Sequence, residues 1–378
     1  MNEFIRCKRC IMDNSSDKTI RFDADGFCDY CTDALEIKER VYFPNQIGEQ
    51  KINGMIQALK EAGKDKKYDC LMGISGGLDS SYLLYLGYKW GLNIACLHID
   101  DGFDSDITVK NIEKLEKTTG FDFIRITPDT EQYNALTKAY MKAGVPNIAI
   151  PQDNIIFAFV YDFAKKHKIE HFLSGHNFAL ESILQAENTH HEFDLINTKD
   201  INKKFGSKPI NKLKLLSFTK STFLRFSLGT TTITPLNYID YKRDKALSEL
   251  SELCGFEYYG RKHLENELTA FIQLYWFPKK FNVDKRTSHL SSMIVSDQLT
   301  RDEALRIYLE EPLYDEKQMN EYIDLIKSKL EITDDEFDEI MSGEARQHDF
   351  YKTDIILRIL SLNDMKLLKL AKKYFRRR

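Results

Sequence analysis

Two sets of residues in this sequence have types and spacings that can do chemistry. The first is Ser75-Gly76-Gly77-Leu78-Asp79-Ser80-Ser81, preceded by the apolar run Leu71-Met72-Gly73-Ile74. The apolar run predicts a buried strand, and the pattern turns helical from Asp79 onward. Adjacent glycines let the backbone turn sharply and present N–H groups with no side chain in the way. The positive end of the helix dipole aims at the same point, so strand, turn and helix together make an anion site suited to phosphate. Gly-Gly alone would fit an ordinary βα turn; the full string is more specific. The familiar nucleotide loop G-x-x-x-x-G-K-S/T is absent, because Ala62-Gly63-Lys64-Asp65 ends in Asp and lacks the upstream glycine. Simple γ-phosphate transfer is therefore disfavoured.

The second set is Cys7, Cys10, Cys28 and Cys31, two C-x2-C pairs with seventeen residues between them. Two cysteines three apart can bite one metal from a tight turn, and two such knuckles complete a tetrahedron. A redox dithiol or four unligated thiols are the alternatives, and paired knuckles argue against both. Four thiolates leave no open position, so the metal, zinc, would be structural, and so small a lobe would need it to fold. The segment between the pairs, Thr19 to Phe27, predicts a hairpin arm turning at Asp25-Gly26.

The elements that must position these groups follow from the rest of the chain. At 378 residues, 42% hydrophobic and 30% charged, the sequence has room for two or three domains with a sizeable core. Residues 45–67 predict a linking helix. Strands are predicted at Asp69–Ile74, Leu92–Ile99, Phe121–Ile126, Glu170–Gly175 and Thr232–Leu236, separated by helical patterns at Asp79–Trp90, Asp106–Thr118, Glu131–Lys142 and Asn154–Lys166. Such alternation implies an α/β fold with a doubly wound parallel sheet and ligands at the carboxyl ends of its strands. From Asn188 to Thr232 the pattern weakens, as a mobile lid, a substrate loop or plain surface. A helix is predicted at Tyr241–Cys254, and helices at Glu265–Phe277, Ser288–Val295, Arg301–Leu309 and Asp315–Lys329 follow. This organises the chain as a zinc-ribbon lobe (1–45), a nucleotide domain (46–255) and a helical C-terminal domain (256–378).

The strand-end rule selects further residues. The second strand ends in His98-Ile99-Asp100-Asp101-Gly102-Phe103-Asp104, whose Asp100, Asp101 and Asp104 either help hold magnesium or form a solvated acidic loop. The fourth ends in Ser174-Gly175-His176-Asn177, with Glu181 one helical turn on. Asn177 and Glu181 are read as site residues there, against the alternative of a helix cap. Lys279, Lys280, Lys285 and Arg286 concentrate cations beside Trp276, Phe277 and Pro278, which suits either phosphate contact or a solvated basic loop. The basic stretch Lys366–Arg378 carries apolar residues on one helical face and is read as a docked amphipathic helix.

The bulk balance excludes several classes. A net charge of −4 gives no electrostatic case for nucleic acid. No stretch is long and apolar enough to span a bilayer, no apolar signal region opens the sequence, and seven cysteines form no disulfide framework, so a cytoplasmic address and no membrane partner are expected.

The Ser75–Ser81 string resembles the PP-loop of the ATP pyrophosphatase superfamily, whose members cleave ATP between the α- and β-phosphates and transfer AMP to a substrate oxygen. The ordered set of the cysteine quartet, the PP-loop, Gly175-His176-Asn177-Phe178-Ala179-Leu180-Glu181, Pro278-Lys279-Lys280-Phe281, Asp284-Lys285-Arg286 and His289-Leu290-Ser291-Ser292 is similar, over nearly the whole chain, to the N-acetyl sugar amidotransferase family. The resemblance implies an ATP- and magnesium-dependent enzyme that adenylates a sugar N-acetyl oxygen and replaces it with ammonia. It implies that Ser75, Gly76, Gly77, Asp79, Ser80, Ser81 and Gly175 bind nucleotide and that the end of the second strand, at His98 and Asp100, lies at the adenine. Asp79, Asn177, Glu181, Lys285 and Arg286 would carry the chemistry. The partner would be a sugar or nucleotide sugar. Since Asn2, not Cys, follows Met1 and only Cys70, Cys96 and Cys254 lie outside the quartet, ammonia is expected to arrive free or from a separate glutaminase subunit. The competing reading is tRNA thiolation, which needs a cysteine near the nucleotide.

Overall fold

A computed structural model describes residues 3–260, 264–357 and 359. Five parallel strands, β1 (Cys70–Gly73), β2 (Ile94–Ile99), β3 (Asp122–Ile126), β4 (His171–Leu173) and β5 (Thr231–Ile233), form one sheet in the order β3-β2-β1-β4-β5. Successive strand residues point to opposite faces, and both faces are covered. Cys70, Met72, Ile94 and Cys96 pack with Leu83, Leu84, Ile112, Leu115, Tyr241 and Leu250 on one side. Leu71, Ala95 and Leu97 pack with Val160 and Ala164 on the other. The doubly wound α/β fold is therefore present, with the strand order reversing at β1, where β4 takes the side opposite β2. Ligands of such sheets sit beyond the carboxyl ends at that reversal.

Several predicted elements differ in extent. The linking helix spans Gln46–Gly63, and the helix predicted from Asn154 begins at Ile150 because Pro151 fits a first turn. β5 stops at Ile233, and Pro235–Tyr238 forms a short 3-10 turn instead of continuing the strand. The hairpin arm is reduced to a single Phe22–Cys28 bridge around Gly26, whose φ is +83°. A helix at Asp29–Val41, not predicted, begins at the second knuckle. The weakly patterned 188–232 segment is more ordered than its pattern suggested. It carries helices Leu195–Phe205 and Phe218–Leu228, whose Ile201 and Leu224 are buried.

Past Asn266 a short helix, Glu267–Phe271, widens into a π-helix at Ile272–Phe281 that contains Pro278 and ends at Asn282 (φ +56°). Trp276 is fully buried and its Nε1 donates to the carbonyls of Val145 and Pro146. Helices Arg286–Val295, Arg301–Glu310, Glu316–Lys329 and Asp334–Ser342 follow. No helix among the described residues is long and apolar enough to cross a membrane. The Lys366–Arg378 stretch lies outside the described residues.

Candidate active site

The glycine turn sits at the carboxyl end of β1. Gly76 has φ +73°, and a Cβ there would lie 2.5 Å from Thr108 Cγ2. A Cβ on Gly77 would lie 2.7 Å from Glu265 Oε1. Gly175, just past β4, packs against the start of the Leu78–Lys89 helix, where its Cβ would meet Asp79 C and Ser80 N at 3.2 Å. Backbone and side chains thus crowd the turn from both sides. Within it, Ser75 Oγ and Ser80 Oγ lie 3.1 Å apart, and Gly77 N donates to Ser75 Oγ at 3.1 Å. Leu78 N donates to the Tyr259 hydroxyl at 2.9 Å, and the Tyr241 hydroxyl donates to Asp79 Oδ1. Burial and the neighbouring carboxylates push both tyrosines well above the ordinary phenol range, so they stay protonated. Ser81 is fully buried, and its Oγ has no partner among the described residues.

Ser75, Gly77, Asp79, Ser80 and Gly175 line a cavity of about 220 Å³ with His176, Glu181, Arg243, Tyr258, Tyr259 and Glu265. Three carboxylates stand on that wall, Asp79, Glu181 and Glu265, of which Asp79 accepts from Tyr241 and Glu181 pairs with His176. The cavity meets a much larger cleft of about 1330 Å³, with which it shares Leu180, Arg243 and Tyr258. The cleft runs between the Asp29–Val41 helix, residues 240–245 and the Arg286–Val295 helix.

Glu181 is on the cavity wall and pairs with His176 Nδ1 at 2.5 Å. Asn177 is not there with it. It is fully buried as the cap of the Phe178–Glu181 turn, its Oδ1 accepting from Leu180 N at 3.0 Å and its Nδ2 donating to Gly175 O at 3.2 Å. This is the capping role: a buried amide at a helix start satisfies backbone groups before anything else can reach it. His98 is also committed inward, with Nδ1 on Ile74 O at 2.8 Å and Nε2 on Asp104 Oδ2 at 2.9 Å. Burial opposes its charge, yet the Asp104 carboxylate and the Ile74 carbonyl raise it above the ordinary imidazole value. Asp100 accepts from Gly102 N in a local turn. Asp101 is buried, with Tyr133, Gln152 and Asn266 donating to it, and desolvation pushes its carboxyl up to about 6. Asp101 and Asp104 are thus drawn into side-chain hydrogen bonds, while Asp100 sits in an exposed turn.

The cations read as phosphate contacts are placed elsewhere. Arg286 is held by Asp284 through Nε and Nη2 (2.8–3.2 Å) and by Glu311 O at 2.8 Å. It faces the cleft, not the glycine turn. Lys285 lies over the Phe277 ring at 5.0 Å, and burial lowers its amine to about 8. Lys280 Nζ donates to Ile340 O and Gly343 O, tying the π-helix to the Asp334–Ser342 helix. The side chains that close the cavity instead, Tyr258, Tyr259, Glu265 and Arg243, stand 160 or more residues from the loop in sequence and follow no periodic pattern that would have singled them out.

At the N-terminus, the four Sγ atoms of Cys7, Cys10, Cys28 and Cys31 all lie within 4.8 Å of one another, fully buried. The Cys7–Cys31 and Cys10–Cys28 separations are 3.7 and 3.5 Å. A tetrahedron with metal–sulfur bonds of about 2.3 Å has an edge of about 3.8 Å, so the spacing fits one tetrahedral ion. Backbone N–H groups of Cys10 and Cys28 point at Cys7 Sγ, as in a knuckle. Arg301 clamps the carbonyls of Cys7 and Cys10, and Ile11 N donates to Ser291 Oγ. The lobe shares its core with Phe178, Ala179, Ile183 and Val295, so it braces the turn that carries Glu181.

The sheet order and the loop at β1 define a PP-loop-type α/β fold with an N-terminal four-cysteine ribbon. Residues 265–364 match the family model described as the C-terminal domain of WbpG-like LPS biosynthesis proteins. No curated protein matches the chain. Among solved structures, the NH3-dependent NAD synthetase from Campylobacter jejuni subsp. jejuni NCTC 11168 is 12% identical, with 75% of this chain and 94% of that one covered at TM-score 0.32. The U34-tRNA thiolase NcsA from Methanococcus maripaludis, described with its 4Fe-4S cluster, is 12% identical over 86% and 89% of the two chains at TM-score 0.33. A predicted tRNA methyltransferase subunit from Methanocaldococcus jannaschii is 18% identical over 58% and 91% at TM-score 0.30.

Proposed function

We propose that this protein is an ATP-dependent, AMP-forming amidotransferase that converts the N-acetyl group of a sugar, carried on a nucleotide, to an acetamidino group. The reaction is of the kind that PseA serves in pseudaminic acid biosynthesis for flagellin glycosylation. The observation that carries the proposal is the junction of the glycine-lined cavity with the larger cleft. A triphosphate gripped by the first would present its inner phosphate to an acceptor held in the second. The WbpG-like match over residues 265–364 supports a carbohydrate acceptor.

An amide carbon is a poor electrophile and its oxygen a poor leaving group. Attack of the amide oxygen on the α-phosphate forms an O–P bond and breaks the bond to the β-phosphate, whose oxygen leaves with the electron pair as pyrophosphate. Backbone N–H groups at Gly76 and Gly77 and the hydroxyls of Ser75 and Ser80 receive that charge, and losing one such donor typically lowers rate on the order of 10²–10³. Leu78 N–H, which the neutral Tyr259 oxygen now accepts from, would join them. The buried Ser81 hydroxyl is a further donor that phosphate would satisfy. Ammonia then attacks the imidate carbon, AMP departs, and the Glu181–His176 pair would take the proton. Asp79 would be the residue to hold magnesium, which would supply screening of the phosphate charge.

Zinc is the ion proposed for the four-cysteine ribbon, on the tetrahedral sulfur spacing. Thiolation finds less support: Cys70 and Cys96 lie within strands with thiols pushed up by burial, and neither they nor Cys254 line the cavity. Incubation with ATP, magnesium, ammonium and a panel of N-acetyl nucleotide sugars tests the proposal. AMP, pyrophosphate and a product with oxygen replaced by NH at high mass resolution are expected. ADP with orthophosphate would refute it.

A further inference from the structure

A polyanionic nucleotide in this cavity would draw on positive charge, and Lys285 and Arg286 are engaged elsewhere. The helix N-terminus supplies only about half a positive charge. Among the described residues that line the cavity, Arg243 has the one permanent positive charge.

Its position is specific. Among the described residues, Leu180, Arg243 and Tyr258 line both the cavity and the cleft, so they mark the neck where the two adjoin. Leu180 is apolar and Tyr258 offers a phenol, which leaves Arg243 as the charged member. Arg243 opens the Arg243–Cys254 helix, and its Nε donates to Asp244 Oδ1 at 3.1 Å in an exposed pair. Its Nη groups have no protein partner among the described residues. Neighbouring cations differ: Lys242 pairs with Asp240 at 3.1 Å, Lys38 is held by Val295 O and Asp297, and Arg286 is clamped by Asp284. A guanidinium with open Nη donors at a neck is shaped for one phosphate with two accessible oxygens.

We infer that Arg243 is a substrate-contacting residue that grips the α-phosphate of ATP at the neck, where that phosphate meets its acceptor. This rests on the AMP-forming reading of the cavity and adds a residue that the sequence did not single out. The glycine turn holds the outer two phosphates and Arg243 the inner one. As the acceptor oxygen bonds to the α-phosphate and the bond to pyrophosphate breaks, charge stays on the two non-bridging oxygens that the guanidinium faces.

The test uses the full chain and a ligand series measured by calorimetry: adenosine, AMP, Mg-ATP and magnesium pyrophosphate. Arg243→Ala is expected to weaken AMP and ATP about tenfold to a hundredfold, as loss of a charge-assisted hydrogen bond implies. Adenosine and pyrophosphate should bind as to wild type, and Arg243→Lys should recover part of the loss for AMP. If Arg243→Ala melts early, Arg243→Gln carries the same comparison. Weakened pyrophosphate with AMP unchanged would place Arg243 in the glycine cradle and overturn the inference. So would four unchanged affinities. A wild-type protein that binds neither ATP nor AMP would instead remove the reading of the cavity on which the inference stands.

Discussion

Gly76→Ala tests whether the glycine turn is a strained, tightly packed cradle. At φ +73° an alanine sits in the left-handed region, which costs about 1–2 kcal/mol. The new methyl would also lie 2.5 Å from Thr108 Cγ2 and 3.2 Å from two Ile112 carbons. Thr108 is fully buried, and its Oγ1 donates to Glu265 O at 2.8 Å, so it cannot step aside without breaking a tie to the segment that covers the turn. Overpacking of this kind costs about 1–3 kcal/mol, which brings the total to about 2–5 kcal/mol. Thr108→Ser deletes the clashing methyl, keeps the hydroxyl, and by itself costs about 1 kcal/mol. In that background Gly76→Ala should cost the backbone part and the milder crowding of Ile112 alone, so a double-mutant cycle in urea unfolding should show a coupling of about 1 kcal/mol or more. Equal effects of Gly76→Ala in both backgrounds would refute the packing argument. A loss below about 0.5 kcal/mol would refute the strain as well.

Three further outcomes follow from other parts of the structure. Purified protein should contain one zinc per chain, and Cys10→Ser should release it and lower the melting temperature, since the lobe shares its core with Phe178 and Val295; iron with visible absorbance would contradict the assignment to zinc. The Lys285 amine is lowered from 10.5 to about 8, so its buried charge destabilises the fold below about 8 and the penalty fades as pH rises toward 10.5; Lys285→Met should stabilise by about 1–3 kcal/mol at neutral pH, with the gain vanishing near pH 10 in thermal melts and AMP formation retained. His98 has its value raised above 6.5, chiefly by Asp104 acting against burial, so the ion pair stabilises fully below 6.5 and is lost as pH rises through the raised value. The melting-temperature gap between wild type and His98→Gln should therefore shrink with rising pH, and a gap that widens would count against the pair.

The chain itself dictated whatever depends on neighbours in sequence. Apolar runs fixed the strands because a parallel strand is buried on both faces, and the Ser-Gly-Gly turn was legible because its phosphate-binding groups are mostly its own backbone. The cysteine knuckles were legible for the same reason, since each pair closes on the metal from one tight turn. The 188–232 helices escaped notice because their buried faces are short and interrupted by polar runs. Only the tertiary structure decided which polar side chains face the cavity. Asn177 and His98 stand at the right strand ends, yet burial commits them to backbone groups and to Asp104. Arg286 has the right charge, but Asp284, two residues away, holds it on the cleft wall and away from the glycine turn. Tyr241, Arg243 and Tyr259 come from beyond β5, and no local pattern marks them, because what brings them to the turn is the packing of one sheet face against helices far along the chain. A side chain's chemistry is written in its type, but its partner is set by which distant segments the core pulls together.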